Sequence, residues 1–271
     1  MISITVRGST FQVSSETSED KAELDFWESL ANDSYEPDTI GFIERNVGPS
    51  TVFLDCGAAI GAMALFSASL GARVEAFEPN PMAFETLVRN MSCNPEFTQR
   101  LNAHRKALST YEGRISFTSE SDPTVLSSIV IPPNLDEQGS KPVEVVKFSG
   151  VIKDMMTNPD LNLVVKMDIE GAEYQILWNA DSVSSLSQAS ALLLLSLHPG
   201  FYRPVRNRVP LIRRFASLLW RYRNYRDHVR LYKSLTEHGR IMRMNLQLVP
   251  NSKSFARLAG AGACEFVVDF R

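Results

Sequence analysis

Acidic residues follow three apolar segments of this chain, each beside a glycine or proline turn. Asp55 ends TVFLD before CGAAIG, Glu78 follows RVEAF and precedes Pro-Asn-Pro, and Asp168 and Glu170 follow LNLVVKM within DIEGAE. Carboxylates placed in this way can bind a cation, accept hydroxyl hydrogens or take up a proton. The sequence therefore has the residues for a binding or catalytic site built from several chain segments.

The first of these turns runs from Asp55 through Gly57 and Ala58 to Gly61. Gly57 lets the backbone approach a ligand, and Gly61 permits close packing of a strand on the next helix. The spacing is GxxxG, whereas dinucleotide-binding loops place a second glycine where this chain has Ala59. An acid here would repel phosphate but suits a cationic amino group. A tight turn with no ligand is the alternative interpretation.

Glu78 stands 21 residues after Gly57, at the tip of the second apolar segment. An acid at this place can accept both hydroxyl hydrogens of a ribose. Taken alone, Glu78 is equally well explained as a solvated loop acid. Two acids without a phosphate-binding loop favour S-adenosylmethionine (SAM), with Asp55 near its methionine part and Glu78 on its ribose.

The third acidic turn combines charges at the end of an apolar strand, where they are costly unless used or paired. Lys166 and Asp168 share one side of that strand, so a structural ion pair is one interpretation. The functional interpretation places Asp168 at the cofactor and Glu170 towards the substrate. His198 follows ALLLLSL and is a candidate general base or metal ligand.

The elements that must position these residues alternate between strand and helix. This alternation predicts an α/β fold with a doubly wound, mostly parallel sheet whose strands present ligands at their carboxyl ends. Residues 2–13 predict a hairpin, residues 20–47 two helices broken near Pro37, and residues 113–148 extra strands and loops. The predicted sheet strands are Thr51–Asp55, Arg73–Phe77, Asn102–Leu108, Leu161–Met167, Ala191–Leu197 and an antiparallel pair, 241–249 and 264–270, joined by a polar loop. The predicted helices are Ala62–Leu70, Met82–Met91, one ending at Asn179, and 209–238, which Gly239 ends.

Composition excludes several classes of protein. The 271 residues include 28 Lys+Arg against 31 Asp+Glu, and 44% are apolar, as in ordinary globular proteins. No apolar run approaches the ~20 residues of a membrane helix, and the N-terminus lacks the layout of a signal peptide. The three cysteines, none in a CxxC, fit a reducing setting, so a cytoplasmic protein without a transmembrane segment is expected.

Basic residues concentrate between Phe201 and Lys233, where ten Arg or Lys stand against Asp227 alone, a net +9. The other residues carry 18 basic against 30 acidic groups, a net −12. A basic patch on an acidic body can attract an anionic acceptor, although a solvated helix face is the alternative. Apolar residues at helical spacing predict a core-facing stripe of Leu211, Phe215, Leu218, Leu219, Tyr222, Tyr225, Val229 and Tyr232. The arginines concerned are Arg213, Arg214, Arg221, Arg223, Arg226 and Arg230, with Arg203, Arg206 and Arg208 close after His198.

The segments FLDCGAAIG, VEAFEPNP, VVKMDIEGAE and SLHPG together resemble the FkbM family of SAM-dependent methyltransferases, over roughly residues 35 to 200. DIEGAE is the most specific of them. The resemblance implies a Rossmann-like class I methyltransferase sheet of order 3-2-1-4-5-7-6 with an antiparallel last strand. It also implies O-methylation of sugar or polyketide hydroxyls. Where the family commonly has Asn in the glycine turn, this chain has Ala59, which removes one polar contact. The cofactor-binding residues so expected are Asp55, Gly57, Ala58, Gly61, Glu78, Asn80, Asp168 and Ala107, the last near the adenine.

A SAM-dependent O-methyltransferase acting on a sugar, glycan or natural-product hydroxyl is therefore the favoured interpretation. Residues 1–34 would be a hairpin-and-helix addition and residues 35–271 the methyltransferase domain, with a basic helical segment over 201–238. Glu170 and His198 are the candidate bases, with Asp168 beside them. Alternatively, Asp168, Glu170 and His198 hold a divalent metal such as Mg²⁺. Two other hypotheses are a catalytically silent module that binds an anionic partner and an NAD-type oxidoreductase. Nucleic acid is not expected as a partner.

Overall fold

Twelve strands and nine helices make up the described part of the chain, which comprises residues 1–14, 21–117, 141–156, 160–198, 210–260 and 265–271 of a computed structural model. The strands are β1 (Ile2–Val6), β2 (Ser9–Val13), β3 (Thr51–Cys56), β4 (Arg73–Phe77), β5 (Leu101–His104), β6 (Lys106–Ser109), β7 (Gly113–Phe117), β8 (Lys141–Lys147), β9 (Asn162–Met167), β10 (Leu192–Ser196), β11 (Arg240–Arg243) and β12 (Glu265–Asp269). The helices are α1 (Lys21–Ala31), α2 (Pro37–Asn46), α3 (Ala62–Ser69), α4 (Pro81–Ser92), α5 (Phe148–Met155), α6 (Glu173–Leu177), α7 (Ala180–Gln188), α8 (Pro210–Thr236) and α9 (Ser252–Gly260), with a short 3₁₀ helix at Pro95–Phe97.

The central sheet has seven strands in the order β5-β4-β3-β9-β10-β12-β11. Counted along the chain, this is 3-2-1-4-5-7-6. Its pairings are parallel except those of β12, which runs antiparallel to both β10 and β11. The α/β fold with a mostly parallel sheet was correctly predicted. Because β4, β3, β9 and β10 are neighbours, the residues that follow their carboxyl ends converge at one edge.

Both faces of this sheet are covered. In β3, Val52, Leu54 and Cys56 pack into one hydrophobic cluster with α5 to α9, while Phe53 packs into the other with α1 to α4 and the hairpin. Alternate side chains of a strand point to opposite faces, so a strand buried on both sides is apolar throughout. The β1-β2 hairpin therefore shares a core with the sheet. Its backbone is also tied to the end of α4, because Gln12 exchanges two hydrogen bonds of 2.7 Å with the side chain of Asn94.

The prediction of one strand over Asn102–Leu108 is wrong. The strand is interrupted at Arg105. Strand β5 stays in the main sheet, whereas β6 joins β8 and β7 in a separate three-stranded sheet. This second sheet accounts for the extra strands predicted within 113–148, of which residues 118–140 lie outside the described chain. No glycine or proline marks the break, so the sequence carries no signal for the change of sheet.

The chain between the last two strands also differs from the prediction. The strand predicted over 241–249 is shorter, and the expected polar loop contains α9. Phe255, Ala256 and Ala259 recur at helical spacing and are buried, Phe255 against Phe266 of β12. Helices α5 and α7 are further elements absent from the prediction. Asn179 caps α7, since its side chain accepts a hydrogen bond from the backbone N–H of Ser182.

Helix α8 matches the long helix predicted over 209–238, and Tyr232 of its predicted core stripe packs against the core, but two other residues of that stripe do not. Tyr222 and Tyr225 are 63% and 42% exposed, whereas His228, Leu231 and Leu235 form the buried face. Tyrosine counts as apolar in a periodicity argument although its hydroxyl tolerates solvent, which is why Tyr222 and Tyr225 were assigned to the stripe. Among the described residues, no helix has both the length and the apolar composition for crossing a bilayer. The side chains of Leu211, Phe215, Leu218 and Leu219 lie outside the described part.

Candidate functional site

The glycine turn after β3 is held by backbone hydrogen bonds to the end of β4. The N–H groups of Gly57 and Ala58 both donate to the carbonyl oxygen of Phe77, at 2.9 and 3.0 Å. Gly57 has φ +86°, and a Cβ there would overlap the carbonyl oxygen of Asp168. Gly61 also has a positive φ, 96°, and packs against Leu87. At position 57, only glycine both adopts the positive φ and leaves room for the carbonyl oxygen of Asp168. The turn therefore brings the end of β3 directly against the end of β9.

Glu78 connects this turn to the start of α4. One carboxylate oxygen accepts the backbone N–H of Ala59 at 2.8 Å, and the other accepts that of Asn80, also at 2.8 Å. Burial raises the pKa of Glu78 to about 7, although both hydrogen bonds oppose the rise. Ala59 has φ 48°, a left-handed conformation that alanine rarely adopts. The carboxylate thus holds a strained turn in place while keeping lone pairs for a ligand.

Lys166 lies between two carboxylates at the centre of the sheet edge. Its Nζ is 3.3 Å from an oxygen of Asp168 and 3.7 Å from one of Asp55. Asp55 is 1% exposed, and neither of its oxygens has a hydrogen-bond partner among the described residues. Burial raises the pKa of Asp55 to about 6, which Lys166 opposes. Burial alone would lower the pKa of Lys166, but Asp168 and Asp55 raise it above its ordinary value.

The acidic turn after β9 is built around a buried carboxylate. Glu173 is fully buried and accepts the backbone N–H groups of Ile169 at 3.0 Å and Gly171 at 2.7 Å. These two bonds fix the turn in which Glu170 adopts φ 55° and Gly171 φ 101°. Glu170 is only 7% exposed, and burial raises its pKa to about 7, with His198 opposing. A strained, buried acid at a strand end is a frequent mark of a functional position.

His198 lies among three carboxylates. Its Nδ1 is 2.9 Å from Glu173, while its Nε2 is 3.4 Å from Asp168 and 3.6 Å from Glu170. Burial alone would lower the pKa of His198, but the three carboxylates outweigh burial and raise it to about 9. The structure therefore brings the three predicted catalytic residues together, and oxygen or nitrogen atoms of all three lie within 4.8 Å of one another.

Sequence reasoning missed Glu173, although the residue stands within the quoted DIEGAE motif. Two of its partners are backbone N–H groups of the same turn, but the third, His198, is 25 residues away and is brought close only by the fold. A usable signal existed in its position: an acid at the first residue of a helix that follows a glycine turn commonly accepts backbone N–H groups.

The start of α2 with the two residues before it, and the start of β12, add further polar groups that the sequence did not indicate. Thr39 donates a hydrogen bond of 3.0 Å to Glu265. Burial raises the pKa of Glu265, and the charges of Glu36 and Asp168 contribute. Burial also raises the pKa of Tyr35, near Glu36 and Lys166. Residues from before the second helix therefore line the same edge as the acidic turn.

Three predicted cofactor residues take structural contacts in this fold. Ala58 has its N–H engaged in closing the turn. Asn80 caps α4, where its side chain accepts the N–H groups of Met82 and Ala83. Ala107 is buried in β6, paired with Val145 of the three-stranded sheet rather than at the end of a main-sheet strand. Contacts of these residues with a cofactor stay predictions.

The described part of the basic segment lies along α8. Arg226 and Arg230 are exposed, and the Arg230 guanidinium stacks 4.8 Å above the ring of Trp178. A groove of about 590 Å³ runs beside them between α7 and α8, with Tyr225 and Lys233 in its wall. Arg203, Arg206 and Arg208, predicted near the acceptor, lie outside the described residues, as do the side chains of Arg213, Arg214, Arg221 and Arg223.

Residues 55–205 match the family described as the methyltransferase FkbM domain. The hexuronic acid methyltransferase AglP of Haloferax volcanii is 28% identical over 165 residues, which are 61% of this chain and 63% of that relative. The matched region thus spans less than two thirds of the relative's length.

Two solved structures overlap with this fold at low identity. Methyltransferase FkbM from Methylobacillus flagellatus is 16% identical with a TM-score of 0.43, covering 92% of this chain and 55% of that one. The geranyl diphosphate C-methyltransferase of Streptomyces coelicolor is 10% identical with a TM-score of 0.39, covering 92% and 81%.

Proposed function

The chain belongs to the FkbM methyltransferase family, and from that premise we propose that it transfers a methyl group from SAM to a hydroxyl of a sugar acceptor. The observation that carries the proposal is the pairing of two differently built turns at one sheet edge. The turn after β3 offers a ligand one buried acid and a glycine backbone, while the turn after β9 gathers acids around a histidine.

The cofactor side fits SAM in three respects. The buried Asp55 carboxylate accepts no hydrogen bond from the described residues and suits the ammonium of the methionine part, and Gly57 leaves room for backbone approach. Glu78 stands at the tip of the neighbouring strand, where its remaining lone pairs can accept ribose hydroxyls. No phosphate-binding glycine pattern is present, which argues against a dinucleotide.

When bound, SAM would supply a methyl group on a sulfonium, and the electron pair of the broken C–S bond would stay on sulfur as the acceptor oxygen takes the methyl group. The chain must then hold the acceptor oxygen in line and remove the hydroxyl proton. Glu170 lies where it can act directly as a base, and His198 can do so only when its imidazole is neutral, since its pKa is about 9. Alternatively, both could join Asp168 as ligands of a metal that acidifies the hydroxyl.

Two observations support a sugar acceptor. AglP, the relative with 28% identity, is named for hexuronic acid, a sugar whose carboxylate makes it anionic. The exposed arginines of α8 give this chain a basic surface that suits an anionic acceptor such as a glycan. We therefore place a hexuronic acid or an acidic glycan first among acceptors to assay.

The cofactor is tested by calorimetric titration of the purified chain with SAM and, separately, with NAD. Saturable SAM binding without an NAD response supports the proposal. NAD binding in place of SAM would instead support an oxidoreductase and overturn it.

The reaction is tested by transfer of a labelled methyl group from SAM to hexuronic acids and acidic glycans. We expect Glu170→Gln to lower kcat at least ~100-fold, the scale of general acid–base catalysis. Glu144→Gln, an exposed acid of β8 paired to Lys106, serves as the matched control. SAM binding without transfer to any hydroxylated acceptor, combined with salt-sensitive binding of an acidic polymer, would favour a silent binding module.

A further inference from the structure

Three side chains in the candidate site are spaced like ligands of one ion. His198 Nε2 lies 3.4 Å from an oxygen of Asp168 and 3.6 Å from an oxygen of Glu170. Adjacent ligand atoms of an octahedral Mg²⁺ or Mn²⁺ lie about 3 Å apart, because each bond is about 2.1 Å long. Closing the present arrangement around an ion therefore requires only small side-chain movements.

The histidine is already oriented for this role. Its Nδ1 is held by Glu173, which is itself fixed by the backbone N–H groups of Ile169 and Gly171. Metal-binding histidines commonly turn their second ring nitrogen to a carboxylate in this way, so that the ligating nitrogen faces the ion. The arrangement leaves Nε2 directed towards the two remaining carboxylates.

Glu170 supplies an independent observation. The residue is only 7% exposed, and the ion-pair partner of its carboxylate among the described residues is His198, whose Nε2 lies 3.6 Å away, beyond hydrogen-bond distance. Its backbone is held at φ 55°, a left-handed conformation that residues other than glycine rarely adopt. A buried carboxylate with only this long ion pair is incompletely compensated, and a cation bound directly to it would offset the cost of its burial.

We propose that Asp168, Glu170 and His198 bind a single divalent cation, with Glu173 as the positioning residue for His198. Two carboxylate oxygens suit Mn²⁺, and the imidazole nitrogen favours a transition-metal ion of this kind over Mg²⁺; the remaining coordination positions would be open to two acceptor oxygens and water. The ion lowers the pKa of the acceptor hydroxyl, whose proton then passes to water as the methyl–oxygen bond forms. This last role rests on the proposed function, whereas ion binding itself does not.

The test uses Mn²⁺ alone, added to the full chain without SAM or acceptor. Electron paramagnetic resonance measures free Mn²⁺, so binding appears as loss of its signal. We expect about one bound ion per chain, and at least ~10-fold weaker binding in both Glu170→Gln and His198→Gln. Glu173→Gln should weaken binding to an intermediate degree. Asp181→Asn, an exposed acid on α7, should leave binding unchanged.

Thermal unfolding of each variant separates lost ligands from lost structure. Unsaturated binding up to about 1 mM Mn²⁺, or equal affinity in wild type and both ligand variants, would overturn the metal site. Mn²⁺ binding without SAM binding would leave the metal site standing and overturn the proposed function. SAM-dependent turnover without Mn²⁺ binding, and not reduced by chelators, would overturn the metal site and leave the proposed function standing.

Discussion

The two turns that meet at the sheet edge are both anchored to a buried acid, but they present different groups to a ligand. The turn after β3 is held by backbone hydrogen bonds to Phe77 and to the Glu78 carboxylate. The turn after β9 also anchors its backbone to a buried acid, Glu173, but it then directs Glu170 and Asp168 at a histidine. The first turn forms a fixed surface for a ligand, whereas the second concentrates charge that a ligand or ion must balance.

This difference suggests a division of labour, with cofactor binding on the first turn and acceptor activation on the second. Lys166 joins the two, since its Nζ lies near both Asp55 and Asp168. Substitutions confined to one turn should therefore change one property, and substitutions at the junction should change both.

The largest effect is expected at the contact between the turns. Gly57→Ala places a Cβ against the carbonyl oxygen of Asp168 at a positive φ, so we expect loss of SAM binding and destabilisation by about 3 kcal/mol or more. Urea unfolding and calorimetry measure the two effects. Gly150→Ala in α5, where nothing lies within 4 Å of the added Cβ, should be neutral or slightly stabilising. Similar behaviour of the two variants would contradict the described packing.

The next largest effect is expected at Lys166. Lys166→Met leaves Asp55 and Asp168 without their shared cation, and breaking a buried ion pair costs about 3 kcal/mol. Unfolding in urea measures this loss. The double variant Lys166→Met, Asp55→Asn removes one orphaned charge and should recover much of the stability. Were the double variant less stable than the single one, Lys166 would not be compensating Asp55.

A pH dependence is expected on the cofactor side. Burial raises the pKa of Glu78 to about 7, with Asp55 adding to the rise and Lys166 opposing it. The folded chain then binds more protons than the unfolded chain between the ordinary pKa and pH 7, so Glu78 lowers stability as pH rises through that window. In the proposed binding mode the ionised Glu78 carboxylate accepts both ribose hydroxyls, so SAM affinity should fall up to ~10-fold from pH 8 to pH 6.

The variant Glu78→Gln isolates this dependence, since the amide does not titrate in that range. Calorimetry at pH 6 and pH 8 should show a smaller change in SAM affinity for Glu78→Gln than for wild type. If SAM affinity changed with pH as much in Glu78→Gln as in wild type, a group other than Glu78 would cause the pH dependence.

The smallest effect is expected at Ala59, whose φ of 48° disfavours any residue except glycine, asparagine or aspartate. Ala59→Asn should stabilise the fold by about 0.5 kcal/mol, and Ala59→Val should destabilise it by more than that. Chemical denaturation compares the two. Stabilisation by valine would show that the turn carries no strain.

Much of the fold followed from the sequence because apolar runs and turn residues repeat at clear intervals. The strand–helix alternation, the hairpin about Arg7-Gly8 and the acids at strand ends were all readable. The split at Arg105 was not, because the segment is continuously strand-like while its halves pair with different sheets. Tyr222 and Tyr225 misled the periodicity argument, since rings count as apolar even when exposed.

The candidate site shows the same contrast between residues with a local signal in the sequence and residues with distant partners. Asp55, Glu78, Asp168, Glu170 and His198 were predicted as candidates because each follows an apolar segment. Glu173 and Glu265 were missed because their partners, His198 and Thr39, are distant in sequence. Contacts of that kind depend on the strand order, which places β9 beside β10 and β12 beside β10.

The division of labour between the turns is tested most directly by SAM affinity in two variants. Calorimetric titration at pH 8 should give wild-type affinity within about twofold for Glu170→Gln and at least ~10-fold weaker binding for Glu78→Gln, which loses charge-assisted hydrogen bonds to the ribose. Glu85→Gln, an exposed acid on α4, is the matched control. Equal SAM affinity in wild type and Glu78→Gln, or an equal loss in both variants, would contradict the account.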